Sequence, residues 1–356
     1  MVTQRLHQSI PGAQNARPDR DPVINMRQAT EPYARTARTR PPAKLNLFLE
    51  LLARRPDGFH EIDTVMIPID WRDELELQRV PENHIELQVQ WLPSPQVVAQ
   101  RLGVDIESPM GHNLLNIPSD ESNLVHRALA AFREAFEIKD GFCCQLGKRI
   151  PAGAGLGGAS SDAASALLCA ARLCGIPTDT PLLSEIAGKI GSDIPFFLGM
   201  GGKAPIDGAR ATGRGEHIEA IEVGRKLECI VIFPAICLST AEVYAHSQVP
   251  TNPSDATALV KLLQDQKNVD LEPAMLNRLT EPAKKLAPQI GEILESLWHD
   301  KLRTCQLTGS GSACFAISTS SGQAKQAASK LQARLEPGGL VMATANTQVP
   351  ARIDVS

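Results

Sequence analysis

Residues 151–162 read Pro-Ala-Gly-Ala-Gly-Leu-Gly-Gly-Ala-Ser-Ser-Asp, and no other stretch constrains the chain so tightly. Gly153, Gly155, Gly157 and Gly158 fall within six consecutive positions. Without side chains, a backbone can approach a ligand closely and adopt conformations strained for other residues. The Ala- and Leu-rich run from Ser160 to Cys174 behind it predicts a helix. A helix start supplies free N–H groups and partial positive charge. Glycines followed by a helix start make a phosphate cradle, so the chain is expected to bind a nucleotide.

The loop is not a Walker A motif. Gly153 and Gly158 have the required spacing, but Ala159 stands where lysine must follow. Gly153, Gly155 and Gly158 do fit the dinucleotide fingerprint G-x-G-x-x-G, and Asp179 lies beyond it where a ribose ligand could stand. That fingerprint normally follows a short apolar strand that opens its domain. Here Lys148, Arg149 and Pro151 abut the loop, and over a hundred patterned residues precede it. A Gly-rich turn with no ligand is a third reading, which two serines at the helix start disfavour.

The net charge of −4 hides an asymmetry: residues 1–40 carry seven Arg and three acids, so the remainder stands near −8. That balance argues against a general nucleic-acid binder. No apolar run reaches the ~18 residues of a membrane helix, and the start has no apolar core of a secretory signal. Eight scattered cysteines without a C-x-x-C pair suggest neither a zinc site nor a disulfide framework, and a reducing cytoplasm is expected. Residues 1–40, rich in Pro, Gln, Arg and Thr, are expected to be disordered. They read as an upstream-extended start, with Met26 as another initiator, or as an Arg-rich targeting segment.

Order is expected from Pro42. Leu45, Leu47, Leu49 and Leu51 alternate with Lys44, Asn46, Phe48 and Glu50, the pattern of a strand with one apolar and one polar face. Arg55-Pro56-Asp57-Gly58 signals a turn, with strands expected over 61–68 and 74–79. A helix is expected over 122–136, then a strand over 142–150 into the Gly loop, and a helix over 181–190. Beyond lie a strand at 227–233, a helix around 290–298, two strands within 304–317 joined by Thr308-Gly309-Ser310-Gly311, a helix over 322–335 and a strand near 340–345. That second-half order suits an antiparallel sheet with helices on one side.

Three segments then agree in order and spacing: Pro42-Ala43-Lys44-Leu45-Asn46-Leu47, the loop from Pro151 to Ser161, and Leu307-Thr308-Gly309-Ser310-Gly311. Together they resemble the GHMP kinase superfamily, which includes galactokinase, homoserine kinase and mevalonate kinase. Arg55-Pro56-Asp57-Gly58-Phe59-His60 and Ile190-Gly191-Ser192-Asp193-Ile194-Pro195-Phe196-Phe197 resemble a branch whose acceptor carries a diphosphocytidyl group. The resemblance covers about residues 41–347. It implies an α+β fold with an N-terminal part like ribosomal protein S5 domain 2, over 41–205, and a ferredoxin-like C-terminal part, over 206–350. It further implies a phosphotransferase with an alcohol acceptor, using ATP and Mg²⁺.

The same resemblance assigns residues. Pro151, Ala152, Gly153, Ala154, Gly155, Leu156, Gly157, Gly158, Ala159, Ser160 and Ser161 form the ATP site, where the two serine hydroxyls could reach phosphate or Mg²⁺. Asp193 matches the general base and Lys44 the catalytic lysine. Read alone, Asp193 could equally cap a helix, and a strand lysine is by default solvated. Asn46, Phe59, His60 and Lys148 match positions that contact the diphosphocytidyl group, although Phe59 stands where Tyr is usual. Tyr244 could supply a second stacking face, and Gly309, Ser310 and Gly311 lie by the active centre. The superfamily often holds Mg²⁺ with a Glu, for which this sequence shows no clear position. The resemblance implies a small-molecule acceptor and ATP as partners, with neither nucleic acid nor membrane. A GHMP kinase for another small alcohol such as homoserine, an NAD-binding oxidoreductase and an RNA binder remain the alternatives.

Overall fold

The computed structural model describes residues 35–199, 204–267, 269–335 and 337–356. Up to residue 34, the expected disordered segment lies outside the described residues. Its last part does not fit the expectation: order begins with the strand β1 (Thr36–Thr39), not at Pro42. That strand alone shows no periodicity; its partners, far off in the chain, define it.

Then follow β2 (Pro42–Arg54), β3 (His60–Arg72), β4 (Glu74–Val80), β5 (Ile85–Trp91), α1 (Pro95–Leu102), α2 (Pro109–Leu115), α3 (Leu124–Ala135), β6 (Gly141–Lys148), α4 (Gly158–Cys174), α5 (Pro181–Ile190) and α6 (Ile194–Leu198). The second half comprises β7 (Gly208–Thr212), β8 (His217–Ile221), β9 (Glu228–Pro234), α7 (Thr240–Ala245), α8 (Thr257–Gln264), β10 (Leu276–Asn277), α9 (Thr280–Leu286), α10 (Gln289–His299), β11 (Cys305–Leu307), β12 (Cys314–Ser318), α11 (Ser321–Leu335), β13 (Gly339–Ala345) and β14 (Ile353–Val355).

Three sheets carry the molecule, ordered β14-β1-β4-β6-β5, β10-β2-β3-β7-β8 and β11-β12-β9-β13. The last is antiparallel throughout, as the sequence suggested. One of its faces, with Val231, Phe233 and Phe315, closes a core with Leu45, Val65 and Ile67. The other, with Ile230, Ile232 and Cys314, packs on Ile290, Leu297 and Leu331 of α10 and α11. A further core lies between the inner face of the first sheet and α3 to α6. Strands β7, β10 and β14 come after residue 205 yet pair with strands before it, so hydrogen bonding crosses the expected domain boundary.

Strand β2 departs from its expected polar and apolar faces. All of Pro42–Leu51 is buried, because side chains of β2 pack into two separate cores. A register shift between Asn46 and Phe48 turns Leu47 and Phe48 into one core, and Leu49 and Leu51 into another. Its polar residues are therefore buried and need partners. Glu50 takes the guanidinium of Arg278 through two hydrogen bonds of 2.7 and 2.6 Å.

Candidate active site

The Gly loop joins β6 to α4 and bears out the reason for its glycines. Gly153, Gly155 and Gly157 all have positive φ, at 64°, 73° and 71°. A Cβ on Gly155 would stand 2.2 Å from the Thr308 carbonyl oxygen, and one on Gly157 3.0 Å from the side chains of Lys44 and Phe197. A Cβ on Gly153 would meet nothing within 4 Å, which leaves that side of the loop open. Ala154 and Leu156 alternate with these glycines and point into the core, anchoring the loop. Behind it, α4 begins at Gly158, and its N-cap residue Gly157 has no side chain to accept from the first N–H groups.

A cavity of about 1160 Å³ opens in front of the loop. Gly153, Gly155, Gly157, Ser160, Lys44, Asn46, Phe59, His60, Asp193, Tyr244, Gly309 and Ser310 all line it. Twelve positions singled out from sequence thus converge from β2, β3, the Gly loop, the start of α6, α7 and the β11–β12 loop. Pro151, Ala152, Ala154, Leu156, Gly158, Ala159, Ser161 and Gly311 do not line it. Ser161 corrects its expected reach to a ligand: it is fully buried, and its hydroxyl has no hydrogen-bond partner among the described residues.

Lys44 enters from β2, 3% exposed, so the default solvated strand lysine does not describe it. Its ammonium donates to Asn46 Oδ1 and stands 3.9 Å from Asp193 Oδ2. Burial lowers its pKa, and the Asp193 charge opposes that shift. Asn46 is held rigidly: its Nδ2 donates to Thr64 Oγ1 at 2.9 Å, its backbone N–H to Thr308 Oγ1 at 3.0 Å, and its carbonyl accepts from Gln306 Nε2 at 2.8 Å. Asp193 precedes the five-residue α6 but makes no capping hydrogen bond. Its side chain is 38% exposed, available to a ligand.

The far end of the cavity is aromatic. His60 and Tyr244 stack with ring centroids 5.2 Å apart and planes inclined by 38°. Burial, then the neighbouring Arg54 charge, lowers the His60 pKa, keeping its ring neutral at physiological pH. Burial, with Asp193 adding, raises that of the Tyr244 phenol. Phe59 is 53% exposed at the mouth, with the Arg214 guanidinium 5.2 Å from its ring centroid. Sequence reasoning missed Arg214, Thr64 and Gln306. Arg214 had a faint signal, a lone arginine between Gly213 and Gly215 in a tight turn; the other two are defined only by the register that brings them to Asn46.

Lys148 is the expected contact that the structure places elsewhere. It is 3% exposed and does not line the cavity. Its ammonium donates to Asp73 and, at 2.6 Å, to Asp162 Oδ2. Burial works against its charge, but the two carboxylates more than offset this, so its pKa is raised. Asp73 also accepts from the backbone N–H of Arg149 and, at 2.8 Å, of Ile150. Lys148 therefore ties β6 and β4 to α4 beneath the Gly loop.

The β11–β12 loop closes the other side. Ala313 N–H donates to the Ala154 carbonyl at 3.1 Å, and Ser310 Oγ lies 2.8 Å from Thr240 Oγ1. The cavity thus has a phosphate-ready loop, an ammonium beside a carboxylate, and an aromatic end: enough to hold a nucleotide, polarise a hydroxyl and seat a ring.

Comparison with known proteins agrees. The profile of GHMP kinases N terminal domains matches residues 123–201, and that of GHMP kinases C terminal domains residues 259–337. A 4-diphosphocytidyl-2-C-methyl-D-erythritol kinase of Rhodopirellula baltica is 44% identical over 326 residues, covering 89% of this chain and 98% of that protein. One from Chlorobaculum parvum is 30% identical, covering 84% and 96%. A crystal structure of 4-(cytidine 5'-diphospho)-2C-methyl-D-erythritol kinase superposes with a TM-score of 0.65 at 31% identity, over 87% of this chain and 98% of that one. Homoserine kinase from Cytophaga hutchinsonii, at 16% identity and a TM-score of 0.64 over 93% and 100%, shares the fold.

Proposed function

The chain belongs to the 4-diphosphocytidyl-2-C-methyl-D-erythritol kinases of the GHMP superfamily, and on that premise we propose that Asp193 and Lys44 carry its chemistry. It is an ATP-dependent kinase of the non-mevalonate isoprenoid pathway. It moves the γ-phosphoryl of ATP to the 2-hydroxyl of 4-diphosphocytidyl-2-C-methyl-D-erythritol, giving the 2-phosphate and ADP.

Phosphoryl transfer asks a protein mainly for positioning and charge stabilisation. The Gly loop and the uncapped start of α4 offer backbone N–H groups to the phosphates, with Ser160 at the cavity wall. The Ser160 hydroxyl at the cavity wall would hold Mg²⁺, which when bound with ATP would neutralise phosphate charge. Asp193 accepts the proton of the acceptor hydroxyl as its oxygen bonds to the γ-phosphorus and the bond to ADP breaks. Lys44, 3.9 Å from Asp193, offsets the charge gathering on the acceptor oxygen. Asn46 fixes the Lys44 ammonium. The cytosine ring sits at the aromatic end, against His60, Tyr244 and Phe59, and Gly309 and Ser310 close over the acceptor. Phe59 retains ring contact but lacks the hydroxyl of the usual Tyr. Such a reaction suits the cytoplasm, where ATP and a free small-molecule acceptor meet.

The observation that carries the assignment is the buried Lys44 ammonium 3.9 Å from the accessible Asp193 carboxylate, in the cavity the Gly loop faces. The test is ADP release from ATP and Mg²⁺, with and without 4-diphosphocytidyl-2-C-methyl-D-erythritol. Acceptor-dependent release that Asp193→Asn removes supports both residue roles and substrate. Release that the variant retains removes Asp193 as the base, and ATP binding without acceptor-dependent release removes the acceptor.

A further inference from the structure

The outer face of the first sheet, away from the cavity, carries a chemistry the kinase reaction does not use. Strands β5 and β6 run parallel with Glu86 directly opposite Cys143. Side chains alternate along a strand, so His84, two residues before Glu86, shares that face, while Phe142, Cys144 and Leu146 point to the core. One donor atom from each of His84, Glu86 and Cys143 lies within 4.8 Å of the others.

We propose that His84, Glu86 and Cys143 form a site for a divalent cation of the zinc class. A tetrahedral zinc with bonds of about 2.0–2.3 Å sets its ligand atoms roughly 3.3–3.8 Å apart. Cys143 Sγ is already 3.7 Å from Glu86 Oε2, so only the imidazole has to swing inward. Gln88 Nε2 donates to Glu86 Oε1 at 2.7 Å, which leaves Oε2 turned to the thiol. An outer hydrogen bond that orients a ligand carboxylate is a usual accompaniment of a metal centre.

The backbone is equally fixed. His84 N–H donates to the Glu82 carbonyl at 2.9 Å, and its own carbonyl accepts from Phe142 N–H at 3.0 Å. A Cβ at Gly141 would stand 1.9 Å from the His84 carbonyl oxygen, so glycine is what permits this approach. The half-buried Cys143 sits at the floor, with His84 and Glu86 exposed above it, leaving a fourth position to water. Binding breaks the Cys143 S–H bond, forms a sulfur–metal bond and releases the proton to solvent. Thiolate and imidazole favour zinc over the hard Mg²⁺, which takes oxygen ligands. The site therefore discriminates against the cation of the kinase reaction. Cysteine spacing gave no sign of it, because Cys143 comes 57 residues after Glu86 and the register alone joins them.

The test is titration of the reduced full-length protein, without nucleotide, with Zn²⁺ alone and then Co²⁺ alone. The expected result is one equivalent bound, a thiolate-to-cobalt charge-transfer band, no displacement by excess Mg²⁺, and retention in Cys237→Ser, which alters an exposed cysteine elsewhere. Affinity should fall about 100-fold or more in both Cys143→Ser and His84→Ala, at least as much as losing an outer partner costs. Unchanged affinity in those two surface variants, a cobalt complex without the thiolate band, or displacement by Mg²⁺ overturns the proposal.

Discussion

Lys44 and Lys148 are equally buried, each lies on a strand next to the Gly loop, and each was expected from sequence to meet ligand, yet their surroundings separate them. Lys148 is held by two carboxylates that are themselves buried, so its charge is fully answered within the protein. Lys44 has one carboxylate 3.9 Å away, partly exposed, and otherwise the neutral amide of Asn46. Its charge is incompletely compensated, and burial depresses its pKa. A buried cation that its surroundings do not fully answer is available to a developing negative charge; one that they do answer is structural.

The sharpest way to break this contrast is to give both lysines the same substitution. Lys44→Met should lower turnover by roughly 10²–10³-fold. It should leave stability equal or slightly higher, since an unanswered buried charge is replaced by an apolar chain. Wild-type turnover in that variant would remove Lys44 from the chemistry. Lys148→Met should lower unfolding stability by about 3–5 kcal/mol in urea melts, because two buried carboxylates lose their cation. If the two variants melt alike, the distinction is wrong.

A smaller effect sharpens the Lys148 side. One lysine answers two carboxylates, and Asp73 has backbone donors as well, while Asp162 Oδ1 has no partner among the described residues. Burial accordingly raises the Asp162 pKa to about 7, against the attraction of Lys148. A raised folded-state pKa means that the folded protein binds more protons than the unfolded chain between pH ~4 and ~7. Stability from this group is therefore present at low pH and lost as pH rises to about 7. Relative to Asp162→Asn, wild type should lose on the order of 2 kcal/mol between pH 5.5 and 7, and parallel curves would assign the proton elsewhere. Smallest, at the mouth of the cavity, Phe59→Ala should raise KM for the acceptor about 5–10-fold with little change in kcat, the worth of one aromatic contact. A fall in kcat with KM unchanged would move Phe59 from binding to chemistry.

Much of this was legible in the sequence, for identifiable reasons. Helices α3, α4, α5, α10 and α11 and strands β3, β6, β9 and β13 carry their own periodicity or caps. The short strands β1, β10 and β14 do not, since two to four residues become a strand only when a distant partner supplies the hydrogen bonds. The Gly loop, Lys44 and Asp193 were legible because their order along the chain resembled a known family. Lys148 was misplaced because nothing at position 148 reveals a carboxylate 75 residues earlier at Asp73, nor that the one at Asp162 turns back under the loop. The burial of Lys44 was hidden for a similar reason. Strand β2 looks one-sided in sequence and becomes two-sided only once Gly157 and Gly309, from two distant loops, close on Lys44.

The contact between the Gly loop and the β11–β12 loop has a consequence for synthesis. The glycines at 153–158 leave the ribosome about 150 residues before Thr308 and Ala313, which brace them. A nascent chain that has emerged only as far as residue 300 holds the whole Gly loop but none of the wall against which it is shaped. Competence to use ATP therefore arrives late in translation, as one event, so a half-made chain has no finished cradle with which to split ATP idly.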